Sequence, residues 1–353
     1  MNERHVSFMR RALALAARGR GTTRPNPMVG CVLVKHDAIV AEGWHRRAGG
    51  PHAEVEALRK AGSAAHGATA YVTLEPCNHE GRTGPCTEAL IAAGVARVIF
   101  AMSDPNPHVV GRGRARLFEA GIEVEAGMLE AEALELNHAW DKWIRTGRPW
   151  VTLKGAVSLD GRLATSSGES KWITGEAARK EAHRLRAAHD AILVGAGTVL
   201  ADDPSLTVRD VKGSDPRRLI LDGALKISPD AKAVPGSIIF TTQESGHAPF
   251  LARGAEVVVL PGERIAMTAL LEAIGAHQLR SVLVEGGGQV HGALLREGLV
   301  DEVHVFVAPL LIGGDGVPLL AGPGAATMDA ARRLSGPTIK KLGDDVHISG
   351  RLR

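Results

Sequence analysis

Pro51-His52-Ala53-Glu54, followed by Glu75-Pro76-Cys77 and then Pro85-Cys86, is the feature that most restricts how this chain folds. One imidazole and two thiolates, from His52, Cys77 and Cys86, fill three corners of a tetrahedral zinc site and leave the fourth for water. Zinc brings the pKa of such a water toward neutrality. Glu54 is two residues from His52 and is placed to shuttle protons without ligating. Zinc nucleobase deaminases use this arrangement, His-x-Glu followed by Pro-Cys and a second Cys. The local pattern supplies the supports: Ala53 to Ala61 reads as a helix, Ala70 to Leu74 as a strand and Thr87 to Ala93 as a helix. The competing reading is two buried structural cysteines and a helix-capping histidine.

The spacing departs from the commonest version, in which two residues separate the cysteines; here Asn78 to Pro85 intervene, eight residues. This excludes a plain match to most cytidine or tRNA deaminases. The insert can loop out between strand and helix, so the ligands still converge. His79 and Arg82 in it suit a ring and a phosphate, and they equally suit a solvated loop. Asn26, between two prolines before a strand, is either a reader of a ring edge or an ordinary turn residue. Cys31 lies in the apolar run Val29 to Val34 and reads as core.

Strands and helices alternate along both halves, which predicts an α/β class with layered sheets covered by helices. In the first half the other helices are Val6 to Ala17, Gly113 to Ala120 and Leu129 to Ile144. The other strands are Val29 to Val34, Ala38 to Glu42, Arg97 to Ala101 and Ile122 to Ala126. The polar breaker at 145–149 sets the domain boundary, giving residues 1–147 and 148–353. In the second half strands are expected at Trp150 to Val157, Ala191 to Val194, Arg218 to Leu221, Ser237 to Phe240, Val257 to Leu260, Ser281 to Val284 and Val303 to Val307. Helices are expected at Glu176 to Ala187, Ile265 to Ile274 and Gln289 to Glu297.

Composition narrows the partners. Lys and Arg total 42 against 39 Asp and Glu, so no nucleic-acid or membrane partner is demanded. With 3% aromatics and one Tyr, a base-stacking face is not expected. This weighs against the alternative of a nucleic-acid base deaminase with an accessory domain, and loss of Glu54 would separate a deaminase from a zinc-stabilised scaffold. The first residues are polar, without a signal-peptide pattern, and no apolar run approaches the ~20 residues of a membrane span. Three cysteines make a disulfide framework unexpected and point to a reducing, cytoplasmic setting.

The runs 25–31, 51–55 and 72–86 closely resemble the deaminase half of the bifunctional riboflavin-biosynthesis deaminase–reductases, the RibD or RibG family. The long insert between the cysteines is that family's pattern. The runs 148–154, 158–161, 168–174 and 201–204 resemble its reductase half. The resemblance covers nearly the whole chain, in the order and fusion of the two halves. It implies a cytidine-deaminase-like three-layer α/β/α domain followed by a dihydrofolate-reductase-like α/β domain. It also implies Zn2+ and NADPH as cofactors, phosphoribosylated pyrimidines as substrates, and a homo-oligomer, dimer or tetramer. The first reaction would hydrolyse the 2-amino group of 2,5-diamino-6-(5-phosphoribosylamino)pyrimidin-4-one. The second would reduce the ribosyl chain of the deaminated product to ribityl.

In the second half, Val282 to Gln289 reads as a strand, a glycine run and a helix start, a pattern that suits an anion and equally a tight turn. His291 stands where the last Gly of Gly-x-Gly-x-x-Gly would be, which disfavours a Rossmann domain. The resemblance implies dinucleotide contacts at Ala156, Trp172, Thr198, Asp202, Gly223 and the stretch Gly287, Gly288, Gln289, Val290, His291, Gly292 and Ala293. It implies phosphosugar contacts at Ser170, Arg186, Leu206, Arg209 and Glu285. Gly223 has no side chain, so only its backbone can serve. Arg186 and Arg209 suit a phosphate monoester, though each also reads as a surface charge. Lys154 and Glu285 are the candidates for polarising or protonating the developing hydroxyl. Asp160 reads as either a catalytic or a turn residue.

Overall fold

A computed structural model describes residues 3–79, 84–106 and 110–352, and the chain divides into two compact units, 1–147 and 148–353. In the first unit the elements run α1 (Glu3–Ala16), β1 (Gly30–Lys35), β2 (Ala38–Trp44), α2 (Ala53–Ala61), β3 (Thr69–Leu74) and α3 (Cys86–Ala92). β4 (Arg97–Met102), α4 (Arg112–Glu119), β5 (Glu123–Ala126) and α5 (Glu130–Thr146) complete it.

The strands form one sheet in the order β2-β1-β3-β4-β5, with β1 antiparallel to both neighbours and β3, β4 and β5 parallel. Residues alternate between its faces, as the two-residue period of a strand requires. Cys31, Leu33 and Val72 enter a core with Ala53, Ala57, Leu90 and Leu117 of α2, α3 and α4. Val32, Val34 and Tyr71 enter a second core with Met9, Leu15 and Trp140 of α1 and α5. The result is the expected three-layer α/β/α arrangement, and Cys31 is core. The helices lie very close to the sheet: a Cβ on Gly43 would meet Ala53 O at 2.2 Å. That contact sets the start of α2, and with it His52.

The second unit opens with β6 (Trp150–Ser158), β7 (Arg162–Ala164), α6 (Glu176–Ala188), β8 (Ala191–Gly195) and α7 (Ala196–Asp202). Next come β9 (Arg217–Leu221), β10 (Ile238–Thr241), α8 (Ala248–Ala252), β11 (Glu256–Val259), α9 (Met267–Ala276), β12 (Ser281–Val284) and α10 (Gly288–Arg296). β13 (Glu302–Ala308), β14 (Val317–Pro318), β15 (Leu334–Leu342) and β16 (Asp345–Leu352) end it. Nine strands order as β11-β10-β9-β8-β12-β6-β13-β16-β15. β11 through β13 are parallel, and β16 and β15 add as an antiparallel hairpin. The central strands β8 and β12 are fully buried, as parallel strands covered on both faces must be.

The sequence pattern did not lead to the hairpin β15–β16 or the short helices α7 and α8. β15 has mostly exposed side chains and contains Gly336-Pro337, so its apolar alternation is weak. No helix among the described residues is long and apolar enough to cross a membrane.

Candidate active sites

In the first unit, two helix starts and one strand end meet. His52 is the N-cap of α2, Cys86 opens α3, and Cys77 lies three residues past β3. Their ligand atoms all lie within 4.8 Å of one another. His52 Nδ1 is 3.2 Å from Cys86 Sγ and 3.5 Å from Cys77 Sγ. The hydrogen bond from Cys86, with His52 close by, draws Cys77 down to about 4; the same contact and burial push Cys86 up. One imidazole nitrogen and two sulfurs converging at this range fit a zinc ion, which holds both thiols deprotonated.

Glu54 is 3% exposed. Burial first, and then the Cys77 thiolate, push its carboxyl up to about 7. A carboxyl poised near neutrality suits proton shuttling.

The supports of this site come from distant parts of the chain. Glu75 is buried and accepts the backbone N–H groups of Asp104, Gly111 and Arg114 at 3.4, 3.1 and 3.0 Å, tying the end of β3 to the start of α4. Gly113 packs so tightly there that a Cβ would stand 2.0 Å from Pro76 O. Thr87 donates to Asn78 Oδ1 at 2.8 Å, and its N–H donates to Cys77 O at 3.2 Å. These contacts hold Cys77 and Cys86 in register.

Asn26 reaches His45: Asn26 Nδ2 is 3.1 Å from His45 Nε2, and His45 Nδ1 is 3.0 Å from Pro51 O. The carbonyl of Pro51 needs a donor, so Nδ1 carries the proton and Nε2 accepts from Asn26. Burial keeps His45 neutral by lowering its pKa. Its ring stands edge-on to His52 with centroids 5.5 Å apart. Asn137 grips Met28, accepting its N–H at 2.8 Å and donating to its carbonyl at 2.9 Å, from a non-helical break in α5. His45, Glu75, Gly113 and Asn137 were missed in the sequence. Only His45 has a local signal, an imidazole closing a strand just before His52. His79 is exposed, and Arg82 lies outside the described residues.

In the second unit the candidates gather at the carboxyl ends of β6, β8 and β12, where open parallel sheets bind ligands. Lys154 Nζ stands 3.5 Å from Glu285 Oε2. Arg186 grips the same carboxylate from α6 through Nε and Nη2 and donates Nη1 to Thr207 O at 3.0 Å. Burial alone would raise Glu285; Lys154 and Arg186 outweigh it and hold the carboxyl well below its ordinary range. Three of the five N–H donors of Arg186 are engaged within the protein, leaving two for a ligand. Arg209 is exposed, with its guanidinium on Thr207 Oγ1 at 3.1 Å. Leu206 is buried and held at φ 56°.

Ser170 donates to Asp202 Oδ1 at 3.1 Å, joining a residue expected at the phosphosugar to one expected at the dinucleotide. Trp172 is 68% exposed, and Arg179 lies over its ring at 4.6 Å. Ala156 is half-buried on β6. Thr198 Oγ1 accepts the Gly287 N–H at 3.1 Å. The Gly223 carbonyl is already occupied by Thr241, Thr242 and Gln243, so its N–H is what it can offer.

The glycine run also serves the packing of the protein itself. A Cβ on Gly286 would meet Gly195 N at 2.5 Å, on Gly288 Pro318 O at 2.3 Å, and on Gly292 Ala321 O at 2.0 Å. These glycines admit the protein's own backbone. Val290 and Ala293 pack on the core, and the His291 ring is buried between Leu319 O and Val284 O. The open face of the stretch narrows to Gly287, whose Cβ would find only Thr198 Oγ1 at 3.6 Å, to the first turn of α10 and to exposed Gln289. That face fits a dinucleotide phosphate at a helix start. Asp160 is a turn residue: its carboxylate accepts the N–H groups of Ile312 and Gly313 at 3.1 and 2.7 Å.

Residues 2–102 match the cytidine and deoxycytidylate deaminase zinc-binding region, and residues 149–348 match the RibD C-terminal domain. Riboflavin biosynthesis protein RibD of Escherichia coli (strain K12) is 47% identical, over 97% of this chain and 98% of that protein. The Bacillus amyloliquefaciens protein of the same name is 45% identical, over 97% and 95%. An Acinetobacter baumannii RibD structure superposes with a TM-score of 0.92 at 40% identity, covering 99% of both chains. A Thermotoga maritima diaminohydroxyphosphoribosylaminopyrimidine deaminase/5-amino-6-(5-phosphoribosylamino)uracil reductase gives 0.87 at 35% identity, again over 99% of both.

Proposed function

This chain belongs to the RibD family, the bifunctional deaminase–reductases of riboflavin biosynthesis, and from that premise we propose how its residues divide the two reactions. It is a zinc-dependent deaminase and an NADPH-dependent reductase in one polypeptide. We assign hydrolysis of 2,5-diamino-6-(5-phosphoribosylamino)pyrimidin-4-one to residues 1–147. Reduction of the resulting 5-amino-6-(5-phosphoribosylamino)uracil is assigned to residues 148–353.

The observation that carries the first assignment is the convergence of His52 Nδ1, Cys77 Sγ and Cys86 Sγ beside a buried Glu54. Bound zinc supplies the Lewis acidity that makes water nucleophilic near neutral pH. Glu54 takes the two protons that water loses one at a time, passing the first to the ring nitrogen and the second to the departing amine. Burial raises the Glu54 carboxyl toward neutrality, which suits a group that must both accept and donate a proton. Asn26, oriented by His45, reads the ring edge. His79 and Arg82 belong to the same rim in this reading.

In the reductase, opening of the ribosyl ring breaks C1′–O4′ and leaves C1′ doubly bonded to its nitrogen; Lys154 Nζ is placed to protonate O4′ as it becomes a hydroxyl. NADPH, when bound, would supply the hydride to C1′, and the nitrogen would regain its proton from solvent. Glu285 is not the proton donor, because Lys154 and Arg186 hold it as the anion; it orients Lys154 and meets the sugar hydroxyls. Arg209, Ser170 and Leu206, with the remaining donors of Arg186, bind the phosphosugar end. Trp172, Ala156, Thr198, Asp202, Gly223 and the Gly287–Gln289 turn bind the dinucleotide. We also propose a cytoplasmic homo-oligomer, on the family resemblance and the unpaired cysteines.

The test is a coupled assay on zinc-loaded protein with the diaminopyrimidine phosphoriboside and NADPH. Ammonia release followed by substrate-dependent NADPH oxidation is expected. Ammonia without oxidation would remove the reductase assignment, and no ammonia would remove the deaminase.

A further inference from the structure

We propose that His183 is a positioning residue for the reductase, fixing the 206–209 turn against α6 by accepting the backbone N–H of Arg209. The inference rests on the reading of that turn as the phosphosugar end of the site.

The turn is held in an unfavourable shape. Leu206 and Asp210 flank it at φ 56° and 62°, a region that residues with a Cβ rarely adopt. Such strain persists only where the surroundings impose it. Here side chains tie three successive residues. Arg186 Nη1 donates to Thr207 O at 3.0 Å, Asp215 Oδ1 accepts Val208 N–H at 2.6 Å, and His183 Nδ1 accepts Arg209 N–H at 3.2 Å. His183 and Arg186 are three residues apart on α6 and so share a face. One helix face therefore grips both ends of the turn while Arg186 also anchors Glu285.

Accepting from an N–H requires Nδ1 to be unprotonated, so His183 is neutral with its proton on Nε2. His183 is 6% exposed. Around it stand Arg186 from its own helix, Arg209 and Asp210 from the turn, and Glu285 from the end of β12. Burial first, then the two arginines, lower its pKa; the two carboxylates oppose this. Protonation at acid pH places a donor against the Arg209 N–H. The bond is lost, and the turn is free to leave its strained shape. Arg209 then moves away from where a phosphate would be held, while Lys154 and the dinucleotide face keep their own supports.

The experiment measures reductase kinetics of full-length, zinc-loaded protein on the deaminated phosphoribosylaminouracil, for wild type, His183→Leu and His183→Asn, between pH 5 and 8. Asn keeps a short acceptor near the Nδ1 position and cannot be protonated. For His183→Leu, KM for the phosphoriboside should rise about five- to tenfold, the worth of one hydrogen bond, with kcat, KM for NADPH and ammonia release within about twofold. His183→Asn should restore KM. The substrate phosphate titrates in the same range, so the pH readout is the ratio of wild-type to His183→Asn KM, which should grow only as pH falls well below the ordinary imidazole value, because burial and the two arginines lower His183. A flat ratio, an unchanged KM in His183→Leu, or a loss confined to kcat overturns the role of His183. If His183→Leu does not fold, the ratio for His183→Asn still decides. Absence of turnover in wild type would instead overturn the reductase reading itself.

Discussion

The Arg186 guanidinium meets the Glu285 carboxylate through two parallel contacts, Nε to Oε1 at 2.7 Å and Nη2 to Oε2 at 2.9 Å. Both side chains are largely removed from solvent, at 15% and 8% exposure. Lys154 approaches the same carboxylate at 3.5 Å. Two cations around one buried anion leave a net positive site, suited to an anionic phosphosugar.

Replacing Glu285 by Gln leaves two buried cations without their partner. Such losses cost about 3–5 kcal/mol. The sign with pH follows from the depressed Glu285 pKa. Its stabilisation is present above the ordinary carboxyl range, near 4.5, and is lost as pH falls below it. Thermal unfolding of wild type and Glu285→Gln, following the transition that NADPH shifts, should show a gap that is wide at pH 7 and narrows below about pH 4.5. A gap constant with pH would mean the carboxyl is not held down.

Glu54→Gln should keep zinc, since the three ligands are untouched. Ammonia release should fall about 10²- to 10⁴-fold, the usual contribution of a general acid–base group. Reduction of supplied deaminated product should be unaffected. Metal analysis with both assays checks this, and retained ammonia release would remove the proton shuttle from Glu54.

Gly113→Ala drives a Cβ into the Pro76 carbonyl, next to Cys77. Backbone cannot swing aside as a side chain would, so overpacking should cost about 1–3 kcal/mol. Displacement of Pro76 should also loosen zinc. Dialysis against a weak chelator should strip the variant before wild type, and equal retention would count against the role of this contact.

Asn137→Leu removes both side-chain partners of the part-buried Met28 backbone. Each lost hydrogen bond should cost about 0.5–1.5 kcal/mol. Release of the 26–28 segment should lower kcat/KM for deamination with zinc content unchanged. A stable variant with wild-type kcat/KM would disconnect Asn137 from the positioning of Asn26.

Much of this molecule was legible in the sequence. His52, Glu54, Cys77 and Cys86 carry their chemistry in their residue types and short spacings, and the strands and helices that hold them follow from local periodicity. The α/β alternation follows for the same reason, while the three-layer first unit is what the family resemblance implies. What tertiary structure decided is every relationship that crosses the chain. Asn137 finds Met28 across 109 residues, and Gly113 makes room for Pro76. Gly286 and Gly288, in a run that suits an anion or a tight turn equally, make room for the backbone of Gly195 and Pro318. Nothing in the local sequence sets His183 apart; its contact comes from the 206–209 segment lying against α6. Periodicity reports which face of an element is apolar; it does not report which distant backbone that face will meet. A glycine, an amide or an imidazole takes its meaning from that meeting.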